Sequence, residues 1–344
     1  MITSDKISGF VAGAVVCVLL LTAGCAHPTA ETAKTKVEPE EQKPTVQLAL
    51  KFTPQDSTTY RVIMEGEKGG EWEGGQPGKP SAFKGGHTGN RIEMTFTQQI
   101  QSTDDKGNAV AKITIKGLKY LVKVRDKAVL DFDSSREEDR NSLLSKLIGQ
   151  SYTIEITPSG QVSKVIDVSG ARAAVRGGST ANKRAAILLS ANMIKERHTI
   201  PALPVTDKNQ LRTGDNWSSI KTFLFDMMGS KSYEKIYTLK EIKDTDGRRV
   251  AIAEMKAVPS SEMAEQLHKE QATSFFAKMF DNTETYTGQL KLDLTAGKVE
   301  KCFEELKSEW LAVDPSAGQR DEKPDALRLT ALRLYCIERI DRKE

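Results

Sequence analysis

Histidine and cysteine are scarce in this chain, with four of each among 344 residues. The histidines, His27, His87, His198 and His268, are scattered, and "HKEQ" at 268 lacks the second histidine of a zinc-binding H-E-x-x-H helix. Cys302 and Cys336 bring no further soft ligands with them, so a structural zinc site is not expected. A G-x-S-x-G nucleophile elbow is absent, and "GARAAVRGG" (170–178) lacks the Gly-Lys-Ser/Thr ending of a phosphate loop. "DTDG" and "STDDKG" lack the remaining oxygen ligands of a calcium loop and read as hairpin turns. No catalytic residue, metal ligand or cofactor is assigned, because acidic side chains this numerous single out no catalytic pair. Neither charge is in excess: 50 Lys+Arg stand against 47 Asp+Glu. That balance offers no basic field for nucleic acid and no polybasic patch for a membrane.

Long hydrophobic runs are also few. One, from Ile7 to Leu21, is almost wholly apolar, and no second run approaches spanning length. It is short beside the ~20 residues a membrane-spanning helix needs, and it fits the apolar stretch of a signal peptide. It ends in Leu21-Thr22-Ala23-Gly24-Cys25, which resembles the lipobox of bacterial lipoproteins, with Thr22 where the leucine more usually stands. The resemblance implies cleavage between Gly24 and Cys25, removing a signal peptide of residues 1–24. It also implies a diacylglyceryl thioether on Cys25 and an acyl chain such as palmitate on its amine. Two or more chains hold a protein at a bilayer where one gives only reversible binding. The implied address is the bacterial cell envelope, with the membrane as partner through the lipid anchor. Ala26 follows the cysteine, without the aspartate of inner-membrane retention, so the outer membrane is favoured.

Residues 25–45 carry the lipidated cysteine and then a stretch rich in Pro, Thr, Glu and Lys, which reads as a flexible tether. A second Gly-rich stretch, 66–89, reads as a long mobile loop, and its Trp72 and Phe83 make it a candidate ligand loop.

Two stretches of sequence recur in order. "QSTDDKGNAVAKITIKGL" (101–118) parallels "KEIKDTDGRRVAIAEMKAV" (240–258), with Gly107 matching Gly247 in the hairpin turn. "YTIEITPSGQVSKV" (152–165) parallels "YTGQLKLDLTAGKVEKC" (286–302), with Gly160 matching Gly297 at a turn that calls for positive φ. The starts correspond as well, Tyr60 with Trp217, at a wider separation that the Gly-rich loop accounts for. Helices are expected at 134–150, at 260–280 and, between the copies, at 180–198. The expected fold is α+β and mainly antiparallel β. It comprises two similar curved sheets, each a half-barrel-like copy with an inserted amphipathic helix. Their bounds are 46–178 and 206–344, joined by a helix and linker at 179–205. This architecture resembles the half-barrels of bacterial lipoprotein carriers and related lipid-binding envelope lipoproteins.

Strands ending either side of "DPSAGQRDEKPD" pair in an expected register that sets Cys302 opposite Cys336. The two are then bridged as a disulfide or remain free thiols. That register gives Phe303–Tyr335 and Glu305–Arg333 partners but also opposes Glu300 to Glu338. Tyr60, Trp217, Phe223, Phe225 and Trp310 fit core positions, whereas nothing near Trp72 is apolar enough to bury it. The function expected is a non-enzymatic, membrane-anchored lipoprotein that binds a lipid or other apolar ligand between sheet and helices. A closed-core structural or protein-interaction module of the envelope is the alternative, and a hydrolase a third reading.

Overall fold

A computed structural model describes residues 45–73, 85–205, 210–245, 247–260, 280–313 and 326–340. The lipobox, the tether, Phe83, His268 and most of the helix expected at 260–280 lie outside these residues. The described residues fall within one compact unit.

The strands, in chain order, are β1 (Val46–Gln47), β2 (Ser57–Glu73), β3 (Gly86–Thr103), β4 (Ala109–Val124), β5 (Lys127–Asp133), β6 (Ser151–Ile156) and β7 (Val162–Asp167). Three helices follow, α1 (Ser169–Ala174), α2 (Thr180–Leu188) and α3 (Ala191–His198). Then come β8 (Gln210–Leu211), β9 (Asn216–Leu224), β10 (Ser230–Thr245), β11 (Arg248–Pro259), β12 (Asp281–Asp293), β13 (Lys298–Val313) and β14 (Ala326–Arg339). β1 and β8 form a small ribbon of their own. The other twelve form one curved antiparallel sheet, in the order β7-β6-β4-β3-β2-β14-β13-β12-β11-β10-β9, with β5 beside β4.

The mainly antiparallel β class is as expected, but the two expected sheets are one. β14 pairs with β13 on one side and with β2 on the other, from Ala326 opposite Glu73 to Arg339 opposite Tyr60. This single ladder joins the early and late strands, and hairpin signals could not reveal it because they are local.

Alternation sets which side chains face the core. On β3, Ile92, Met94 and Phe96 are buried; on β4, Ile113 and Ile115, and then Leu118 and Tyr120. The parity on β4 changes because Lys116 is an extra residue between the partners of Thr95 and Phe96. Similar shifts occur at Lys240 on β10 and Glu300 on β13. Gly107, Gly160, Gly247 and Gly297 all carry positive φ at their turns, as the hairpin reading requires.

Three expectations are corrected. The two ends of the Gly-rich stretch 66–89 are strand, since β2 runs to Glu73 and β3 begins at Gly86, while 74–84 lie outside the described residues. Its glycines make room for neighbours across the sheet. A Cβ at Gly69 would meet the His87 ring at 2.4 Å and the Thr330 hydroxyl at 2.5 Å. The segment 134–150 holds only a short 3-10 turn, Leu143–Leu147. Its first residues are bonded otherwise: Asp133 accepts from the Ser135 amide, and Asp139 from the Asp133 amide and the Arg136 side chain. Such local bonds compete with helix formation. The helix at 180–198 is two helices, each with its own serine cap. Ser179 forms a capping box with Asn182 on α2, and Ser190 accepts from the Met193 amide on α3.

The cysteine register differs too. Cys336 lies opposite Phe303, and Cys302 opposite Ile337. The one-residue slip replaces the Glu300–Glu338 clash with a Lys301–Glu338 pair and sends the two thiols to opposite faces. The disulfide is not formed, and both cysteines are free, Cys302 buried and Cys336 half-buried.

Candidate ligand-binding cleft

One face of the sheet carries Tyr60, Val62, Met94, Phe96, Leu306, Trp310 and Ile337, all buried. α1 packs against β6 and α3 against β7 on this side. Between the sheet and these helices lies a cleft of about 1060 Å³. Its volume is slightly above the roughly 300–1,000 Å³ usual for small-molecule sites. Met64, Ile92, Tyr120 and Val122 line one part of the floor, and Phe223, Tyr286 and Tyr335 another. Ile187 and Met193 of α2 and α3 line the opposite wall, with Ile187 left 55% exposed. Residues from both halves of the sheet and from the helices therefore share this space.

A buried polar group forms part of the wall. Lys235 of β10 donates to Glu304 of β13 at 2.8 Å, with side chains 4% and 8% exposed. Tyr286 donates to the other Glu304 oxygen at 2.6 Å, and Tyr237 also donates to this carboxylate. Gly288, opposite Glu304 on β12, leaves room beside it, because a Cβ there would stand 3.3 Å from Glu304 Cγ and 2.6 Å from the Phe303 carbonyl. Burial first, and then the Glu304 charge, push both phenols far above the usual tyrosine range, so they remain donors. Trp217 stacks on Tyr237 at 5.5 Å and donates to the Ala202 carbonyl at 2.9 Å. This fixes the segment after α3 over the sheet.

A second group anchors α3 itself. Arg197 is fully buried and donates to the Tyr152 hydroxyl at 3.2 Å and to the Leu188 carbonyl at 2.9 Å. Tyr152 meets His198 Nε2 at 2.6 Å, and the His198 ring packs edge-on against Phe96 at 4.5 Å. Burial, reinforced by the Arg197 charge, holds the His198 pKa well below the usual histidine range. A neutral ring accepting from Tyr152 follows. Tyr335 of β14 donates to the Thr199 carbonyl at 2.9 Å, so the helix end is tied to the middle of the sheet.

The residues singled out from sequence are dispersed. Trp72 sits on β2 with 44% exposure, as expected for a tryptophan without apolar neighbours, and does not line the cleft. Of the core aromatics, Tyr60, Phe225 and Trp310 are buried, while Trp217 and Phe223 are partly so and Phe223 reaches the cleft. His87 pairs with Asp126 at 3.2 Å. Among the described residues no group of His, Cys, Asp or Glu could hold a metal ion. Sequence reading missed Lys235, Glu304 and Arg333. Each is a charge in an apolar stripe: Tyr233-x-Lys235-x-Tyr237, Cys302-x-Glu304-x-Leu306 and Ala331-x-Arg333-x-Tyr335. That pattern is the signal that could have found them.

Fold and site together define a curved antiparallel sheet with helices on its inner face and a cleft between. No protein-family model and no curated protein matches the chain. Among solved structures, one described as "Lipid-protein interactions in lipovitellin" aligns with a TM-score of 0.42 at 11% identity, covering 85% of this chain and 26% of that one. This chain thus spans about a quarter of the lipovitellin chain. OccK9 (OpdG) of Pseudomonas aeruginosa aligns with a TM-score of 0.19 at 9% identity, covering 83% of this chain and 99% of that one. Likeness at this level assigns no family. Among the described residues no helix is long and apolar enough to cross a membrane.

Proposed function

We propose that this chain is a non-enzymatic bacterial envelope lipoprotein that holds a lipid or other apolar ligand between its sheet and helices. The observation that carries the reading is the cleft of about 1060 Å³, with Met64, Ile92, Val122 and Ile187 turned into it. A closed-core interaction module would fill that space with side chains, to the packing density of protein interiors. Anchoring through Cys25, with the outer membrane favoured, rests on the Leu21–Cys25 pattern and on Ala26. The reading includes two copies of one β unit. The sheet order supports it: β7-β6-β4-β3-β2 and β13-β12-β11-β10-β9 run the same way, and the matched hairpin glycines fall at corresponding turns.

The test is extraction and mass spectrometry of the full chain purified in a neutral detergent. One retained lipid or apolar molecule per chain is expected. A chain that retains none, and takes up no fluorescent fatty-acid probe, sinks the ligand reading. Metabolic labelling with palmitate tests the anchor independently, with label expected on the wild type and lost in Cys25→Ala.

A further inference from the structure

β14 carries three arginines, and two of them are accounted for by carboxylates. Arg328 pairs with Glu309 at 3.1 Å, and Arg339 with Asp293 at 3.6 Å and Glu300 at 3.5 Å. Arg333 is different. It lies in the middle of the strand, opposite Leu306 on β13 and Gly66 on β2, and it lines the cleft. The bond recorded for its guanidinium is to the carbonyl of the adjacent Leu332, at 3.2 Å, and no carboxylate among the described residues pairs with it.

The sheet makes room for this side chain. A Cβ at Gly66 would stand 3.0 Å from Arg333 Nη1 and 3.5 Å from Asn90 Oδ1. The guanidinium therefore lies across a bare stretch of backbone beside the Asn90 carboxamide. Met64 and Ile92 form the next rung of the same floor, towards Tyr335 and Tyr120.

The balance of charge around the cleft points the same way. Lys68 is neutralised by Asp226 at 2.5 Å, and Lys235 by Glu304. Glu65 pairs with Arg91 at 2.5 Å, and alternation places Glu65 and Glu67 on the face away from Met64. Lys221, whose ammonium lies 5.8 Å from the Phe223 ring, faces the cleft side of β9. Lys123, Arg184, Lys195 and Glu196 also line the cleft, so its wall is mixed, and Arg333 is the arginine fork that lies beside the apolar Met64 and Ile92 on its floor. A planar fork with paired N–H donors is suited to a carboxylate or a phosphate.

We propose that Arg333, with Asn90 beside it, is the seat for the anionic head group, carboxylate or phosphate, of an amphiphile whose chain lies along Met64 and Ile92. The proposal rests on the ligand-binding reading and names the class of ligand. A seat of this kind gives selectivity for charge over chain length, because the apolar floor accepts any chain that fits.

Three ligands with the same oleoyl chain separate the sources: oleate, oleoyl lysophosphatidate and uncharged mono-oleoylglycerol. Each displaces a fluorescent fatty-acid probe from the full chain in a neutral detergent, for wild type, Arg333→Met and Arg333→Lys. In the wild type at least one anion is expected to bind about tenfold or more tightly than mono-oleoylglycerol, the scale of a charged hydrogen bond. Arg333→Met should remove that preference while leaving mono-oleoylglycerol unchanged, and Arg333→Lys should retain part of it. Preference for oleate or for lysophosphatidate identifies the head group, and either supports the seat. Equal wild-type affinity for all three overturns the seat and leaves the ligand reading standing. Binding of none overturns both. The wild-type comparison does not depend on how well any variant folds. A folded Arg333→Met chain that keeps the preference also overturns the seat.

Discussion

Replacing Glu304 with alanine leaves the Lys235 ammonium and the Tyr237 and Tyr286 hydroxyls facing the core without their carboxylate. Removing one partner of a buried pair costs about 3–5 kcal/mol, whereas replacing both with apolar residues of similar size is often near neutral. Urea denaturation should therefore rank Glu304→Ala as far less stable than wild type, with the Lys235→Met/Glu304→Leu double variant recovering most of the loss. A double variant as unstable as the single one would show that the pair itself is needed. At His198 the expected effect is on pH dependence. The unfolded imidazole takes up its proton near pH 6.5. The folded one resists, because it is buried beside Arg197. Stability is then full above pH 6.5 and falls as the pH drops towards the folded pKa, by up to about 1.4 kcal/mol per pH unit. Asp104, Asp133 and Asp167 have lowered pKa values, so their contributions are lost only in stronger acid, below about pH 4. His198→Gln, which keeps an acceptor for Tyr152, should flatten the profile between pH 6.5 and 5. An unchanged slope in that window would assign the acid sensitivity elsewhere.

At the scale of elements, the hairpins were readable because each is local: a glycine turn between alternating segments, as at Gly107 and Gly297. The helix at 180–198 was readable in extent but not in its break. Leu189 and Ser190 carry no helix-breaking residue, and only the Ser190 hydroxyl starts α3 afresh. Ser190→Ala should cost about 1 kcal/mol, read as a lowered thermal midpoint, by leaving the α3 amides uncapped. No change would mean that packing alone divides the helices. The two ends of the Gly-rich stretch were misread because glycine marks loops and close strand approaches alike. The cysteine register was misread by one residue, since loop length and bulge position set it and neither is visible in composition. Both thiols in the denatured chain should take up iodoacetamide without prior reduction. Labelling of Cys302 and Cys336 that requires a reductant would restore the bridge.

Across the whole molecule, the β2–β14 ladder is what sequence could not supply. It joins positions as far apart as Arg61 and Glu338, whose side chains also bond across it. The cleft inherits that difficulty, since its floor is assembled from β2, β3, β4 and β14 together with β9, β10, β12 and β13. Bulges at Lys116, Lys240 and Glu300 also reverse the alternation partway along three strands. A stripe counted from one end therefore loses its face before the other end.

The central strand of this sheet is also the last of the fourteen described strands in chain order. During synthesis β2 must wait, its long edge open, until β14 arrives, and β13 waits with it. A product stopping at Val313 would therefore present two unpaired edges at the middle of its sheet, the kind of template that invites aggregation. The sheet of the nascent protein thus stays incompletely zipped until nearly all of its described strands exist.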